Sequence, residues 1–156
     1  MTGGQYAAGT SVPVGRTRDE IERTLAKYGA TGFAFGQDQA GAMVAFVVRD
    51  RQVRFIVPLP SPDERRFTHT PTFQTRAKTA AEAAWQQAIK ARWRALGLIV
   101  KAKLEAVDAG VVTFDEEFLS HLVVPSGQTV GDVVLPQMQA ALEGGQLPAL
   151  LPGRSS

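Results

Sequence analysis

The sequence predicts an α+β fold: an N-terminal helix, a three-stranded antiparallel sheet, a long basic helix packed on the sheet, and a small helical C-terminal part. Three observations predict it. Thr17, Thr79 and Thr113 each open a Thr-x-x-Glu signature followed by a helix-compatible run. Three short apolar runs rich in Val, Ile and Phe lie between the first two signatures, separated by polar or glycine-bearing segments. From Thr79 to Ala109 no proline interrupts the chain, and the apolar residues recur at helical spacing.

The 156 residues fit one domain. A flexible lead-in is expected over 1–15, an α-β-β-β-α core over 16–110, a helical part over 111–146 and an apolar tail over 147–156. In the first signature the Thr17 hydroxyl accepts an N–H three residues on and Glu20 reaches back. The first helix is therefore expected over 18–28, with Ile21, Leu25 and Tyr28 on its apolar face and Gly29 as its stop. Strands are expected over 31–35, 42–48 and 53–59, with turns at 36–41 and 49–52. The middle strand is apolar on both faces, which suits a central or doubly covered position. Pro58 and Pro60 end the third strand, because proline cannot donate to a ladder. Residues 61–78 read as a long loop, and structureless loops of that length are usually functional or disordered.

The long helix is expected from Thr79, as its cap, to Ala109, with Gly110 as its stop. At 100° per residue Trp85, Ile89, Trp93, Leu96, Val100, Leu104 and Val107 share one arc, which should lie on the sheet. Lys90, Arg94 and Lys101 form a stripe on one shoulder, and Arg92 and Lys103 lie at the opposite edge. Ala91, Ala95, Leu98 and Ala102 form a small, mildly apolar outer face. Thr113 is expected to cap a short helix to Leu122, and Thr129 a final helix to Glu143, bent or started at Pro136.

The net charge of +2 conceals a split. Residues 1–48 balance, residues 49–103 carry twelve Lys and Arg against four Asp and Glu, and residues 104–156 carry seven acids against Arg154 alone. A +8 middle and a −6 end point to an anionic partner for the middle third. The plainer alternative is that the two parts neutralise each other across the fold or an oligomer interface.

Several classes are excluded or disfavoured. Without cysteine there is no disulfide and no thiolate chemistry. Met1 to Thr10 lacks a charged start and an apolar core, so no signal peptide is expected. The apolar runs are too short to span a bilayer, and a cytoplasmic protein is expected. No phosphate-binding glycine loop, dinucleotide fingerprint or serine elbow occurs. His69 and His121 have no metal spacing and read as structural or exposed. Asp115-Glu116-Glu117 reads as an acidic first turn complementing a helix dipole. A Mg²⁺-dependent nuclease would have to draw on these acids or Asp108, without any nuclease pattern. No catalytic residue, metal or cofactor is expected.

The basic hairpin and loop remain. Arg49, Arg51, Arg54, Arg65, Arg66, Arg76 and Lys78 surround Phe67, His69 and Phe73, interleaved with threonines 68, 70, 72 and 75. Cationic grooves with aromatic rings bind single strands, the cations tracking phosphate and the rings stacking on bases. With Lys90, Arg94 and Lys101 of the long helix and the ring of Phe67, these cations form the candidate nucleic-acid surface.

The order of helix, three antiparallel strands, basic loop and long basic helix resembles the β-β-β-α core of the ring-forming single-strand DNA annealing proteins of phages and eukaryotic recombination mediators. Residues 44–109 carry the resemblance. Ala88-Ile89-Lys90-Ala91-Arg92-Trp93-Arg94-Ala95-Leu96-Gly97 looks like that family's Ala/Lys/Arg-rich helix ending in small residues. The stretch from Trp93 through Val107 also looks like uncharacterised small proteins of phages and prophages. The resemblance implies phosphate binding between hairpin and helix, ATP-independent annealing in phage-type recombination, and a homo-oligomeric ring or filament. It also implies packing of the alanine face and of residues 147–151 on neighbours. The alternative of another class is a non-enzymatic protein-interaction module, a phage modulator or assembly factor, using the apolar tail.

Overall fold

The computed structural model describes residues 12–38 and 41–150. Their elements are α1 (Val12–Lys27), β1 (Gly32–Gln37), β2 (Ala42–Val48), β3 (Arg51–Val57), α2 (Arg65–Thr68), α3 (Lys78–Asp108), α4 (Phe114–Phe118), a 3-10 turn (Leu119–His121) and α5 (Val130–Glu143). This is the α+β order expected, with the strands antiparallel in the order β1-β2-β3.

Register builds the core. Phe35 stands opposite Val44 and Val44 opposite Phe55, while Phe33 stands opposite Phe46 and Phe46 opposite Val53. Cross-strand partners share a face, so one face of the sheet carries Val44, Phe46, Val53 and Phe55, all buried. Ile89, Trp93, Leu96, Val100 and Leu104 of α3 and Ile21 and Leu25 of α1 complete that core. Each such side chain contributes about 1.5–3 kcal/mol on leaving water, so packing rather than helix propensity holds α3 down. The opposite face, with Ala34, Met43, Ala45, Val47 and Ile56, is exposed or half-buried.

The central strand and the apolar arc of α3 lie where the residue pattern puts them. Other boundaries differ for physical reasons. α1 begins at Val12, inside the expected lead-in, and Thr17 is an interior helical residue rather than a cap. It lies against Gly97, where a Cβ would stand 3.4 Å from Ile21 and 3.9 Å from Thr17, so the missing side chain lets the two helices approach. The lead-in residues 1–11 and the tail residues 151–156 lie outside the described residues. Thr79 also falls inside its helix, because α3 starts after Ala77 without any side-chain cap. A small hairpin delivers the chain there, Arg76 N–H donating to the Thr68 carbonyl at 2.8 Å. Thr113 and Thr129, by contrast, are extended at the cap position and form complete boxes with Glu116 and Asp132.

The expected four-residue turn at 49–52 is a two-residue one. Arg49 and Asp50 have φ of +51° and +61°, and β3 resumes at Arg51. Positive φ at both positions gives the turn whose twist matches the flanking strands. Residues 61–78 are not structureless either, since they hold α2 and a short hairpin bridged at His69 and Thr75.

The C-terminal part attaches at the β3 edge. Leu122 bridges Val53, and Val123 N–H donates to the Gln52 carbonyl at 2.8 Å. Phe118 enters the core between Phe46 and Phe55, with ring centroids at 5.9 and 6.3 Å.

Candidate nucleic-acid interface

The fold sorts the basic residues into groups. Four of them pair with acids of the last third, Lys101 with Glu105 of its own helix at 3.9 Å. Arg51 makes a two-pronged contact with Asp115 at 3.0 and 3.3 Å. Lys103 meets Glu117 at 2.9 Å. Arg54 donates to the Gly127 carbonyl at 2.7 Å and lies 4.0 Å from Asp132. Its Nε, shielded from solvent, has no hydrogen-bond partner among the described residues. Part of the charge split is therefore neutralised within the fold, and Arg51 and Arg54 are tied to protein groups.

The acids are engaged in the same way. Glu116 accepts the Thr113 N–H and hydroxyl, and Asp132 accepts the Thr129 N–H; these cap bonds hold both carboxyls below their ordinary range. Among the described residues no group of three His, Asp or Glu is placed to hold a metal ion.

A second group converges. Arg65, Arg66 and Arg76 line a shallow cleft of about 370 Å³ with His69, Thr70 and Phe73. Local chain geometry builds it. Phe73 N–H donates to the Thr70 carbonyl at 2.9 Å, and Thr70 N–H to the Gln74 carbonyl at 2.8 Å, closing a tight hairpin tip at Pro71 and Thr72. Phe73 follows with φ +65°, in the left-handed region where glycine is usual. That backbone costs about 1–2 kcal/mol for a residue with a Cβ. It carries the ring outward, 70% exposed, with the Arg65 guanidinium 5.0 Å from its centroid. Arg66 is braced by Glu64 at 2.7 Å. Arg65 and Arg76 have no ion pair among the described residues.

Phe67 has the opposite fate. It is 4% exposed, tucked under α2 with Arg66 4.5 Å above its ring, so its ring is core and is not open to a base. Phe73 is the ring available for stacking. The signal in the sequence was its place after Pro71-Thr72, at a turn tip, whereas Phe67 follows a charged turn that coils into a helix.

The remaining candidates do not reach this cleft. Lys78 is exposed at the start of α3, and Lys90 is half-buried further along it. Arg94 and Lys101 line a groove between α1 and α3. Arg49, at the hairpin turn, borders a depression with Tyr28, Leu104 and Asp108. The loop end of α3 is marked by Trp85, which donates to the Pro60 carbonyl at 2.7 Å. From Trp85 to Leu104 the helix rises roughly 28 Å at 1.5 Å per residue, which separates Arg49 from the cleft.

His121 stacks on Phe55 at 4.0 Å between ring centroids. Burial first, and the charge of Lys103 second, push its imidazole below the ordinary 6.5, partly offset by a hydrogen bond that the ring N–H donates to the Arg54 backbone carbonyl. The folded protein therefore resists a proton that the unfolded chain accepts, and stability falls as pH drops from about 6.5 through the folded value. Denaturant titrations at about pH 7 and pH 5.5 should show a larger loss for the wild type than for His121→Phe; equal losses would contradict this account of the ring.

No protein-family model, curated protein or solved structure matches the chain. Among the described residues no helix is long and apolar enough to cross a membrane.

Proposed function

We propose that this protein binds single-stranded DNA without sequence preference and anneals complementary strands without ATP, as in phage-type recombination, in the cytoplasm of a bacterial host. The observation supporting it is the meeting of three guanidinium groups, a threonine hydroxyl and an outward phenyl ring in the cleft at 65–76. Guanidinium and hydroxyl groups bond phosphate oxygens, and a ring face accepts any base, so the combination suits a strand rather than a particular sequence. The strand contact is narrower than the full set of basic residues, because Arg51 and Arg54 are already committed to protein partners. The test is annealing of labelled complementary oligonucleotides without nucleotide cofactor, alongside single-strand affinity against salt. Faster annealing and a log–log slope of about −0.7 per phosphate neutralised are expected. Binding that ignores salt, or none, contradicts the proposal.

A second reading, a protein-interaction module, is favoured by α5 and the following segment. Val134, Leu135, Met138 and Leu142 are exposed, as are Leu147 and Leu150. It predicts a partner that is lost on truncation after Glu143 and kept by Arg65→Ala/Arg76→Ala.

A further inference from the structure

Helix α5 is held at one end only. Gly131 is its one buried residue, seated against the Ser120 carbonyl, where a Cβ would come within 2.7 Å. Asp132 completes the cap and faces Arg54. Beyond that first turn the helix stands in solvent. At 100° per residue Val130, Val134, Leu135, Met138, Ala141 and Leu142 occupy one arc of about 140°, bordered by Asp132, Gln139 and Glu143. A helix of 14 residues is marginal alone, and its stability ordinarily comes from covering such a face.

A complementary surface lies elsewhere on the same molecule. The groove between α1 and α3 has Ile21, Gly97 and Leu98 as its apolar lining, and Leu98 is 65% exposed. Arg23, Arg94 and Lys101 rim it, with Glu20 as the one acid. The docking helix supplies the matching charge: residues 130–150 contain Asp132 and Glu143 and no Lys or Arg. Lengths match too. Val134 to Leu142 spans roughly 12 Å and Arg94 to Lys101 roughly 10 Å at 1.5 Å per residue.

We propose that α5 of one copy docks in the α1/α3 groove of a second copy, its Leu and Met side chains on Leu98 and its acidic border toward the three cations. The occupant belongs to another copy because the two surfaces leave opposite edges of the sheet. The segment leading into α5 pairs with β3 at Val53, whereas Arg18 of α1 lies 4.8 Å from the Phe35 ring of β1. Two strand spacings, roughly 10 Å, separate those edges. An arm entering a different surface on its neighbour is a head-to-tail contact, which closes into a ring or propagates as a filament according to its rotation. This is independent of strand binding, since the groove and the cleft at 65–76 share no residue. It assigns Arg94 and Lys101 to self-assembly.

Sedimentation of the full chain tests it. Wild type should self-associate below about 100 µM, more weakly at high salt. Met138→Lys/Leu142→Lys breaks the arm and Arg94→Glu/Lys101→Glu breaks the groove. All four positions are exposed, and each double variant should weaken association at least tenfold. An equimolar mixture of the two variants should then form a 1:1 dimer, because one intact arm meets one intact groove. A monomeric wild type, an arm variant that still assembles, or a mixture that stays monomeric overturns the proposal. So does a groove variant that assembles like wild type, which would put α5 on the open sheet face or on another α5.

Discussion

Replacing Phe118 with alanine should lower the unfolding free energy by about 3–5 kcal/mol, read as a shift in the urea midpoint with little change in slope. Its ring is fully buried and contacts three others: Phe114 at 4.6 Å between centroids, Phe46 at 5.9 Å and Phe55 at 6.3 Å. The Lys103 ammonium lies 5.8 Å from the same ring. Deletion removes the transfer energy, leaves a cavity among rigid rings and frees α4 from the sheet. A domain of this kind has roughly 5–15 kcal/mol in all, so the variant stays folded only in part of that range. The neighbouring Leu119, 53% exposed, gives the control, since Leu119→Ala should change stability by no more than about 0.5 kcal/mol. Equal effects at the two positions would show that the C-terminal part is not anchored through Phe118.

The second large effect concerns binding. Phe73→Gly should weaken single-strand affinity by about 1–3 kcal/mol, roughly 5- to 150-fold, through loss of the stacking ring. The same change should leave stability within about 1 kcal/mol of wild type. It relieves about 1–2 kcal/mol of left-handed backbone cost. It also adds about 0.5–1 kcal/mol of glycine entropy and loses a cation–π contact of similar size. Function and stability thus separate at one residue, which a merely structural role for the ring would not allow. Arg65→Ala/Arg76→Ala should flatten the salt dependence by about 1.4 in log–log slope if each guanidinium meets one phosphate. An unchanged slope would place the strand elsewhere.

How much of this was legible follows from what each feature depends on. The arc from Trp85 to Val107 and the strand Ala42–Val48 are local periodic patterns, and both lie where they were read. Thr129 works as a cap because the chain is extended there and Asp132 stands three residues on. Thr17 and Thr79 carry the same spelling but sit within helices, because the packing of α1 on Gly97 and the hairpin before Ala77 move the helix starts upstream. The site was half legible. A basic aromatic loop was visible, yet Phe67 and Phe73 have the same side chain six positions apart. Which one is buried depends on how α2 meets α3. The pairing of Arg51 with Asp115 joins residues 64 apart, beyond any local pattern. It removes from the basic surface a residue that composition alone assigns to it.

Ultraviolet cross-linking to oligothymidine, with tryptic mapping by mass spectrometry, tests the cleft most directly. Cleavage after Arg66 and Arg76 isolates residues 67–76 as one peptide, holding the exposed Phe73 and the buried Phe67. The account predicts an adduct on this peptide at Phe73, abolished in Phe73→Gly. Adducts confined to peptides from α3, the hairpin at Arg49 or the C-terminal part would contradict it.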